Sequence, residues 1–223
     1  MKIAICFFGL PRFYKSWKKH FYSFYDGCEI DFYGHFWKSE NYNDGELKSE
    51  FNFETCIIEP QKKDFIELPK STDYSKTTKG VFETLSPLYS LKRLGEVISN
   101  FEKEYDFIIV TRTDTGCSDN TKFLEFELKK EKFYTSYVNG KEWLVDHLDA
   151  KWFCGNQEKL TQLCSTYDRL TKYITDDKIP LCHHRMFFHS MKEYKEDIEM
   201  VNVNPSFIHG GWFFNRNEKI SST

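Results

Sequence analysis

The sequence predicts an α/β protein with a mainly parallel central sheet that is flanked by helices. Short, continuous apolar runs alternate with helical patterns through the first half of the chain. The apolar runs carry few polar residues, which is typical of parallel strands buried on both faces. With 223 residues the chain is long enough for one domain with its own core, so a single domain over residues 1–223 is expected.

The first part of the chain is predicted to form three strands and one helix. Ile3–Phe8 is a buried strand that ends at the Gly-Leu-Pro-Arg turn of residues 9–12. Tyr14–Tyr25 has the spacing of an amphipathic, aromatic helix. Glu29–Trp37 and Thr55–Pro60 are predicted as the second and third strands, and a proline closes the third.

Two polar segments are predicted as loops. Residues 38–50 separate the second strand from the third, and Gln61–Gly80 carries few aliphatic side chains. A loop as long as the second one often acts as a lid over a ligand. The next segment, Ser86–Glu104, has apolar residues at three- and four-residue steps and is predicted as a helix, with Ser86 as its cap and Pro87 in its first turn.

The order of elements loosens after the fourth strand, which is predicted over Phe107–Val110. Further strands are predicted over Lys132–Tyr137 and Ala150–Gly155. Helices are predicted over Glu158–Tyr173 and Leu181–Tyr194 from their apolar spacing. The alternation of strands and helices therefore continues, less regularly, through the second half of the chain.

Composition and charge argue against several classes of protein. Lys and Arg number 31 against 34 Asp and Glu, a net charge of −3, which argues against a nucleic-acid partner. The seven cysteines contain no C-x-x-C pair, so they suit a reducing compartment better than a disulfide framework. No secretory signal and no run of about 18 apolar residues is present, which predicts a cytoplasmic protein without a transmembrane segment. The basic, aromatic Tyr14–Tyr25 helix leaves peripheral membrane contact open.

Polar residues follow or end three of the predicted strands. In open α/β sheets, ligands bind beyond the carboxyl ends of the strands, where such residues come together. Arginine binds phosphate oxygens through two hydrogen bonds, and a carboxylate at a strand end can hold Mg²⁺ or Mn²⁺. These strand ends therefore predict a site for a phosphorylated ligand with a divalent cation. The residues are Gly9, Pro11 and Arg12 after the first strand, His35 and Trp37 in the second, and Arg112 and Asp114 after the fourth.

Several common sites are excluded because their motifs are absent from the sequence. The first strand is not followed by G-x-G-x-x-G, and no G-x-x-x-x-G-K-[ST] occurs. The sequence also lacks G-x-S-x-G and H-E-x-x-H. A dinucleotide-binding glycine turn, a P-loop, a nucleophile elbow and this type of zinc site are therefore excluded.

Four segments, in order along the chain, carry a resemblance to a known family. They are KIAICFFGLPR (residues 2–12), DFYGHFW (31–37), the helix and strand of residues 86–114 that end in TRTD, and HLDAKWFCGNQEKL (147–160). Together they resemble a group of GT-A-type glycosyltransferases found in bacterial polysaccharide clusters and in large viruses and phages. The resemblance covers most of residues 1–170.

The resemblance implies a single GT-A-like, Rossmann-like domain that transfers a sugar from a nucleotide-diphosphate donor to a glycan or polysaccharide acceptor. The nucleotide-sugar part would comprise about residues 1–120 and the acceptor part about 121–223. One of Ser90, Lys92 or Arg93, on the helix before the fourth strand, is expected to reach the donor phosphates. The residues expected to bind the donor are Phe8, Gly9, Arg12, His35, Arg93 and Arg112.

The resemblance also implies a metal ligand and a base. Asp114 corresponds to the metal-binding aspartate of a D-x-D motif, and the late His209 could join it in holding Mn²⁺ or Mg²⁺. Arg112 stands at the first position of that motif, so metal dependence stays open, because an arginine could neutralise the diphosphate directly. Asp146 and Asp149 are the candidates for the carboxylate that deprotonates the acceptor hydroxyl.

Two other functions stay open at this point. A sugar nucleotidyltransferase would use a similar fold, but it usually has a glycine-rich loop after the first strand, and GLPRFYKSWKK (residues 9–19) holds a single glycine. A non-catalytic sugar- or nucleotide-binding module of the same fold is favoured if Arg112 has disabled metal binding.

Overall fold

The computed structural model describes residues 1–15, 22–76, 80–117, 122–136, 147–201, 203, 205–209 and 212–213, with the backbone alone for 116–117, 205–209 and 212–213. The strands are β1 (Lys2–Gly9), β2 (Glu29–Lys38), β3 (Thr55–Pro60), β4 (Phe107–Thr111), β5 (Thr115–Cys117), β6 (Phe133–Ser136), β7 (Trp152–Gly155), β8 (Ile198–Val201), β9 (Pro205–His209) and β10 (Trp212–Phe213). The α-helices are α1 (Asp44–Phe51), α2 (Val81–Ser99), α3 (Gln157–Cys164), α4 (Leu170–Thr175) and α5 (His183–Ser190). Short 3₁₀ helices span Phe123–Glu125, Ser165–Arg169 and Lys192–Asp197.

Seven strands form one mixed sheet in the order β3-β2-β1-β4-β7-β6-β8. The pairings of β3 with β2, β2 with β1, β1 with β4 and β6 with β8 are parallel. β7 runs antiparallel to both of its neighbours, β4 and β6. The prediction of a mainly parallel sheet flanked by helices is therefore confirmed.

Side chains of β1 alternate between the two faces of the sheet, and helices cover both faces. One face packs against α2, α3 and α5, and the other packs against α1 and the segment before β2. A strand buried on both sides needs apolar residues at every position, which is why β1 reads as a continuous apolar run. Ala4, Cys6 and Phe8 belong to the first face, and Ile3, Ile5 and Phe7 belong to the second.

A smaller antiparallel sheet, in the order β10-β9-β5, continues from the end of β4. β5 begins at Thr115, the residue after Asp114, and Thr115 pairs with Phe207 of β9. The backbone of His209 pairs with Trp212 of β10. The small sheet therefore begins directly after the residues that follow β4.

The strands predicted from apolar runs are confirmed, with shifts at their ends. β3 has the predicted bounds, and β1, β2 and β4 extend the predicted ranges by one or two residues. β7 begins two residues later than predicted. In the strand predicted over Lys132–Tyr137, residues Phe133–Ser136 form β6, and Tyr137 lies outside the described residues.

The loop predicted over residues 38–50 is wrong in its second half, which forms α1. Oδ1 of Asn43 accepts the backbone N–H of Glu46 at 3.0 Å and caps the helix. Leu47 and Phe51, four residues apart, are buried on one face of α1. Two apolar residues in a polar run are a weak periodic signal, so the helix depends on its cap and on this contact with the core.

The predicted start of α2 is also wrong. The helix begins at Val81, so Ser86 and Pro87 lie inside it rather than at its cap and first turn. Ser86 is buried, and its Oγ accepts from Nε2 of Gln61 at 3.0 Å. Pro87 deprives the helix of one N–H donor, a defect that packing of the helix against the sheet offsets.

The two long helices predicted in the second half are each divided. α3 ends at Cys164, a 3₁₀ helix follows, and α4 begins at Leu170. Oγ of Ser165 donates to the carbonyl of Gln162 at 2.7 Å, and side-chain bonds of this kind compete with the helical ladder. The helix predicted over Leu181–Tyr194 is α5 followed by a 3₁₀ helix.

The segments predicted as the Tyr14–Tyr25 helix and the Gln61–Gly80 loop lie partly outside the described residues. Residues 16–21, half of the predicted Tyr14–Tyr25 helix, lie outside the described residues, and residues 22–25 form a turn where the sequence predicts the end of that helix. In the loop predicted over Gln61–Gly80, residues 61–76 contain neither helix nor strand, as expected. Across the described ranges, no helix combines the length and the apolar character needed to cross a membrane.

Candidate functional site

A pocket with a volume of about 350 Å³ lies at the carboxyl ends of β1, β2 and β4. Four of the residues predicted to bind a donor line it, namely Phe8, Gly9, Arg12 and Arg112. The first turns of α2 line it as well. The pocket therefore lies at the edge of the sheet where the sequence predicts ligand binding.

The turn after β1 brings Gly9 and Arg12 to the pocket. Gly9 has a φ of +94°, in the left-handed region that favours glycine, and its N–H donates to Oγ of Ser90 at 2.7 Å. The backbone N–H of Arg12 donates to the carbonyl of Leu10 at 2.8 Å and closes a three-residue turn around Pro11. Arg12 itself is exposed, so its guanidinium is accessible to a ligand in the pocket.

Arg112 and Asp114 bind each other directly after β4. Nε of Arg112 is 2.8 Å from Oδ1 of Asp114, and Nη2 is 2.5 Å from Oδ2. This is the two-point geometry that a guanidinium and a carboxylate favour. Asp114 is 5% exposed, whereas the side chain of Arg112 is 29% exposed. A buried carboxylate is thus neutralised by a cation that also lines the pocket.

This ion pair bears on the divalent cation that the resemblance implies. Both oxygens of Asp114 accept from Arg112, and a cation on the same oxygens would lie close to a positive guanidinium. His209, the other predicted ligand, lies in β9, where the structure describes the backbone. Among the side chains that are described, no group of three or more His, Cys, Asp or Glu is arranged to hold a metal ion. Asp114 in this arrangement does not fit a cation, and metal binding stays a prediction.

His35 lies behind the lining of the pocket rather than in it. Its ring is fully buried, with Nδ1 2.8 Å from Oγ of Ser90 and Nε2 3.0 Å from Oε1 of Glu59. Burial lowers the pKa of His35 below its usual value, although the hydrogen bond and charge of Glu59 oppose this effect. His35 therefore contacts protein groups where the sequence predicts a contact with the donor.

Lys92 and Arg93, two of the three candidates on α2 for a contact with the donor phosphates, bind carboxylates instead. Nε of Arg93 donates to Oε1 of Glu59 at 3.3 Å, and Nη1 of Arg93 bonds to Glu96. Nζ of Lys92 is 2.5 Å from Oδ1 of Asp168. Both side chains lie outside the described lining of the pocket.

Asp149 lies at the same edge of the sheet as the pocket. It precedes β7, whose first residue pairs with the last residue of β4. Its side chain is 2% exposed, and its carboxylate accepts from Oγ of Ser136 at 2.8 Å and lies 3.8 Å from Nζ of Lys151. Asp146, the other predicted base, lies outside the described residues.

Histidine side chains connect α5 to the segment that carries Asp149. Nδ1–H of His184 donates to the carbonyl of Leu148 at 2.7 Å, and Nε of Arg185 donates to Nε2 of His147 at 3.2 Å. Burial lowers the pKa of His184, although its hydrogen bond to the Leu148 carbonyl opposes this effect. These contacts hold residues 147–149 against α5.

Trp37 lines the pocket from β2 and is 1% exposed. Its indole stacks on Tyr89 with ring centroids 5.8 Å apart and meets the edge of His35 at 5.0 Å. Nε1 of Trp37 has no hydrogen-bond partner among the described residues. A buried N–H without a partner costs about 1–3 kcal/mol, so a water or a ligand acceptor at this wall would be stabilising.

Six residues that line the pocket were not among the sequence candidates for the site. They come from the turn after β1, from the predicted lid loop and from the early turns of α2. The signal available in the sequence was Phe82, a large apolar residue next to a glutamate, and its side chain is exposed in the structure. The six are Leu10, Gln61, Phe82, Glu83, Ser86 and Pro87.

Charge differs between the two sides of the pocket. The strand ends contribute the guanidinium groups of Arg12 and Arg112, whereas α2 contributes the carboxylate of Glu83. Guanidinium groups favour phosphate oxygens, and a carboxylate accepts hydrogen bonds from hydroxyl or N–H groups. The pocket is therefore suited to a ligand with an anionic part and a part rich in hydrogen-bond donors.

Comparison with protein-family models finds no match to this chain, and none of the curated proteins matches it either.

Proposed function

We propose that this protein is a nucleotide-sugar-dependent glycosyltransferase of GT-A-like fold whose donor diphosphate binds at the ends of β1 and β4. The observation that carries the proposal is that Gly9, Arg12 and Arg112 line one pocket. Each of the three was expected, from the sequence, to bind the donor. Gly9 and Arg12 lie in the turn after β1, far from Arg112 in the sequence, and the parallel pairing of β1 with β4 brings the two segments together.

The electrostatics of the pocket support a diphosphate leaving group. Negative charge develops on the leaving oxygen during sugar transfer, and fixed positive groups near that oxygen stabilise the transition state. Arg12 and Arg112 supply two such groups, and guanidinium donors match phosphate oxygens in two-point geometry. Because Arg112 also binds Asp114, the donor phosphates would compete with that carboxylate for its N–H groups.

The position of the pocket in the sheet supports ligand binding at the ends of β1 and β4. The chain runs outward from β1 to β2 and β3, and then crosses back to β4 on the other side of β1. The strand order reverses between β1 and β4, and open α/β sheets bind ligands at such points. Folds of this kind bind many unrelated ligands, so the strand order supports the place of the ligand, and the charges of the pocket support its identity.

On the acceptor side, the proposal assigns the base to Asp149 or Asp146. A base must come within hydrogen-bond distance of the hydroxyl that it deprotonates. Asp149 now binds Ser136, so the acceptor hydroxyl would have to replace that contact. The proposal therefore includes a rearrangement around Asp149 when the acceptor binds.

A second candidate is a sugar- or nucleotide-binding module without catalysis. The pairing of Arg112 with Asp114 favours it, because the carboxylate that would hold a metal is already neutralised. Such a module would bind the nucleotide in the same pocket but would not break the sugar–phosphate bond. Turnover of the donor separates the two candidates.

Thermal denaturation with UDP, GDP, CDP and dTDP, each with and without Mn²⁺, tests the binding step. A ligand at a hundred times its dissociation constant adds about 2.7 kcal/mol to the free energy of unfolding, which raises Tm by several degrees. We expect one nucleotide to raise Tm, and we expect the Arg12→Gln variant, which binds about tenfold more weakly, to keep only about half of that shift. If all four nucleotides leave Tm unchanged, the proposed function is wrong.

The catalytic step is then tested with the sugar conjugates of the nucleotide that binds. The protein is incubated with each nucleotide sugar and with glycan acceptors, and release of the free nucleotide is measured. Release that depends on the acceptor and on Asp149 supports the transferase. Binding without release of nucleotide from any conjugate supports the binding module instead.

A further inference from the structure

Ser90, in the middle of α2, connects His35 to Gly9, in the turn that lines the pocket after β1. Its Oγ accepts the N–H of Gly9 at 2.7 Å and lies 2.8 Å from Nδ1 of His35. The carbonyl of His35, 3.3 Å from Oγ, is a second and more distant acceptor for the hydroxyl hydrogen of Ser90. Ser90 and His35 are both fully buried, so no water competes for these bonds.

The carboxylate of Glu59, which binds Nε2 of His35, determines which atoms donate and which accept in this series of hydrogen bonds. Burial raises the pKa of Glu59, but its hydrogen bond and charge interactions with His35 and Arg93 lower it overall, so the carboxylate accepts. Nε2 of a neutral His35 therefore carries the proton, and Nδ1 accepts from Oγ–H of Ser90. Oγ of Ser90 then accepts from Gly9, so each donor in the series from Gly9 through Ser90 and His35 to Glu59 has an acceptor.

His35 also supports a second wall of the pocket. Its ring meets the indole of Trp37 edge-on, with centroids 5.0 Å apart, and Trp37 stacks on Tyr89 of α2. His35 therefore supports two residues that line the pocket, Trp37 by direct contact and Gly9 through Ser90. A change in the position of the imidazole would move both walls.

We propose that His35 is a positioning residue of the pocket, which holds the Gly9 turn through Ser90 and supports Trp37 directly. The inference rests on the proposed function in one respect, that the pocket is where the nucleotide binds. His35 and Arg93 were expected to contact the donor, but neither lines the pocket, and the inference gives each of them an indirect role. His35 acts through Ser90, and Arg93 acts one step further away by holding Glu59.

Two substitutions of His35 test the contacts of its two ring nitrogen atoms one at a time. Asn places its amide near the position of Nδ1, whereas Gln reaches the position of Nε2. His35→Asn therefore keeps an acceptor for Ser90 and loses the bond to Glu59, and His35→Gln does the reverse. Ser90→Ala removes the connecting hydroxyl and leaves His35 and Glu59 in place.

The first readout needs no ligand. Hydrogen exchange of the Gly9 amide, followed by NMR, reports the bond from Gly9 to Ser90 directly. We expect exchange to be about tenfold faster in His35→Gln and Ser90→Ala than in the wild type, and close to the wild-type rate in His35→Asn. Equal exchange in the two His35 variants would overturn the inference.

The second readout is the dissociation constant of the nucleotide that the wild type binds, measured by calorimetry. We expect a loss of affinity of about tenfold in His35→Gln and Ser90→Ala, and less than about twofold in His35→Asn. A purely structural role would lower Tm in both His35 variants without separating their affinities, which would overturn the inference. If the wild type binds no nucleotide, the proposed function fails, and the exchange pattern alone decides whether His35 positions the turn.

Discussion

Nε and Nη2 of Arg112 lie 2.8 and 2.5 Å from Oδ1 and Oδ2 of Asp114, so the arginine holds the carboxylate that the sequence assigns to a metal. Two residues apart at the end of β4, they form a pair whose acidic member is buried. The local charge of this strand end is therefore close to neutral rather than negative. A diphosphate meets less repulsion here than it would beside a free aspartate.

Removal of Arg112 is expected to destabilise the fold. Arg112→Ala leaves the buried carboxylate of Asp114 without its cation, which should lower the free energy of unfolding by about 1–3 kcal/mol. Asp114→Asn alone should cost a similar amount, and the double variant should cost less than the sum of the two. Urea unfolding of the four proteins measures this cycle, and additive effects would show that the pair is not coupled.

The same pair leads to a prediction on metal dependence. Because Arg112 occupies both oxygens of Asp114, nucleotide affinity of the wild type should change less than about twofold between Mn²⁺ and EDTA. In Arg112→Ala the carboxylate is released, and nucleotide binding should become dependent on Mn²⁺. Calorimetric titrations of both proteins under both conditions provide the measurement. A wild type that binds only in Mn²⁺ would show that the ion displaces Arg112.

Arg12 is expected to contribute to binding and not to stability. Its side chain is exposed at the pocket, so Arg12→Gln should weaken nucleotide binding by about tenfold while leaving Tm within about 1 °C. Lys195→Gln removes a charge from a side chain that is 67% exposed and lies outside the described lining of the pocket. It should change neither quantity. Equal losses of affinity in the two variants would point to a general charge effect.

Stability should fall as pH falls because His35 is buried and His184 is half-buried. Burial lowers the pKa values of His35 and His184 in the folded state, so the unfolded chain binds more protons. Their stabilisation is complete above the unfolded pKa of about 6.5 and is lost as pH falls through the lowered folded values. Urea unfolding between pH 7.5 and 5 should therefore show a shallower slope for His35→Asn than for the wild type. An unchanged slope would mean that His35 does not titrate differently in the two states.

Gly95 is predicted to be required where α2 packs on α3. A Cβ at Gly95 would lie 2.5 Å from Cβ of Cys164, which is closer than side-chain carbons approach one another. Alanine favours a helix over glycine by up to about 1 kcal/mol, but overpacking costs about 1–3 kcal/mol. Gly95→Ala should therefore lower the free energy of unfolding in urea. Ser99→Ala, at an exposed position of the same helix, should change it by less than about 0.5 kcal/mol.

The parts of the site that the sequence predicted are those that depend on backbone direction. Gly9, Arg12 and Arg112 follow or end apolar runs that form strands. The carboxyl ends of parallel strands meet at one edge of the sheet regardless of side-chain conformation. His35 and Arg93 depend on side-chain direction instead. Both bind Glu59, a half-buried carboxylate of β3, and no local sequence pattern connects Glu59 to either residue.

The errors in secondary structure have a similar origin. Pro87 and Ser86 suit a helix start by their local preferences, yet the helix begins at Val81, since packing against the sheet outweighs one missing N–H donor. α1 escaped detection because its apolar signal consists of Leu47 and Phe51. Local preferences of individual residues are smaller than the free energy of burying a helix face.

The sequence by itself determined the class of fold and the edge of the sheet that carries the pocket. Continuous apolar runs require strands covered on both faces, and such strands are mostly parallel. Tertiary structure alone decided how the charges pair. Whether Asp114 faces a metal or an arginine, and whether His35 faces a ligand or Ser90, depends on which groups from distant segments lie within hydrogen-bond distance. Electrostatic and hydrogen-bond energies change steeply over such short distances, and spacing along the chain does not determine them.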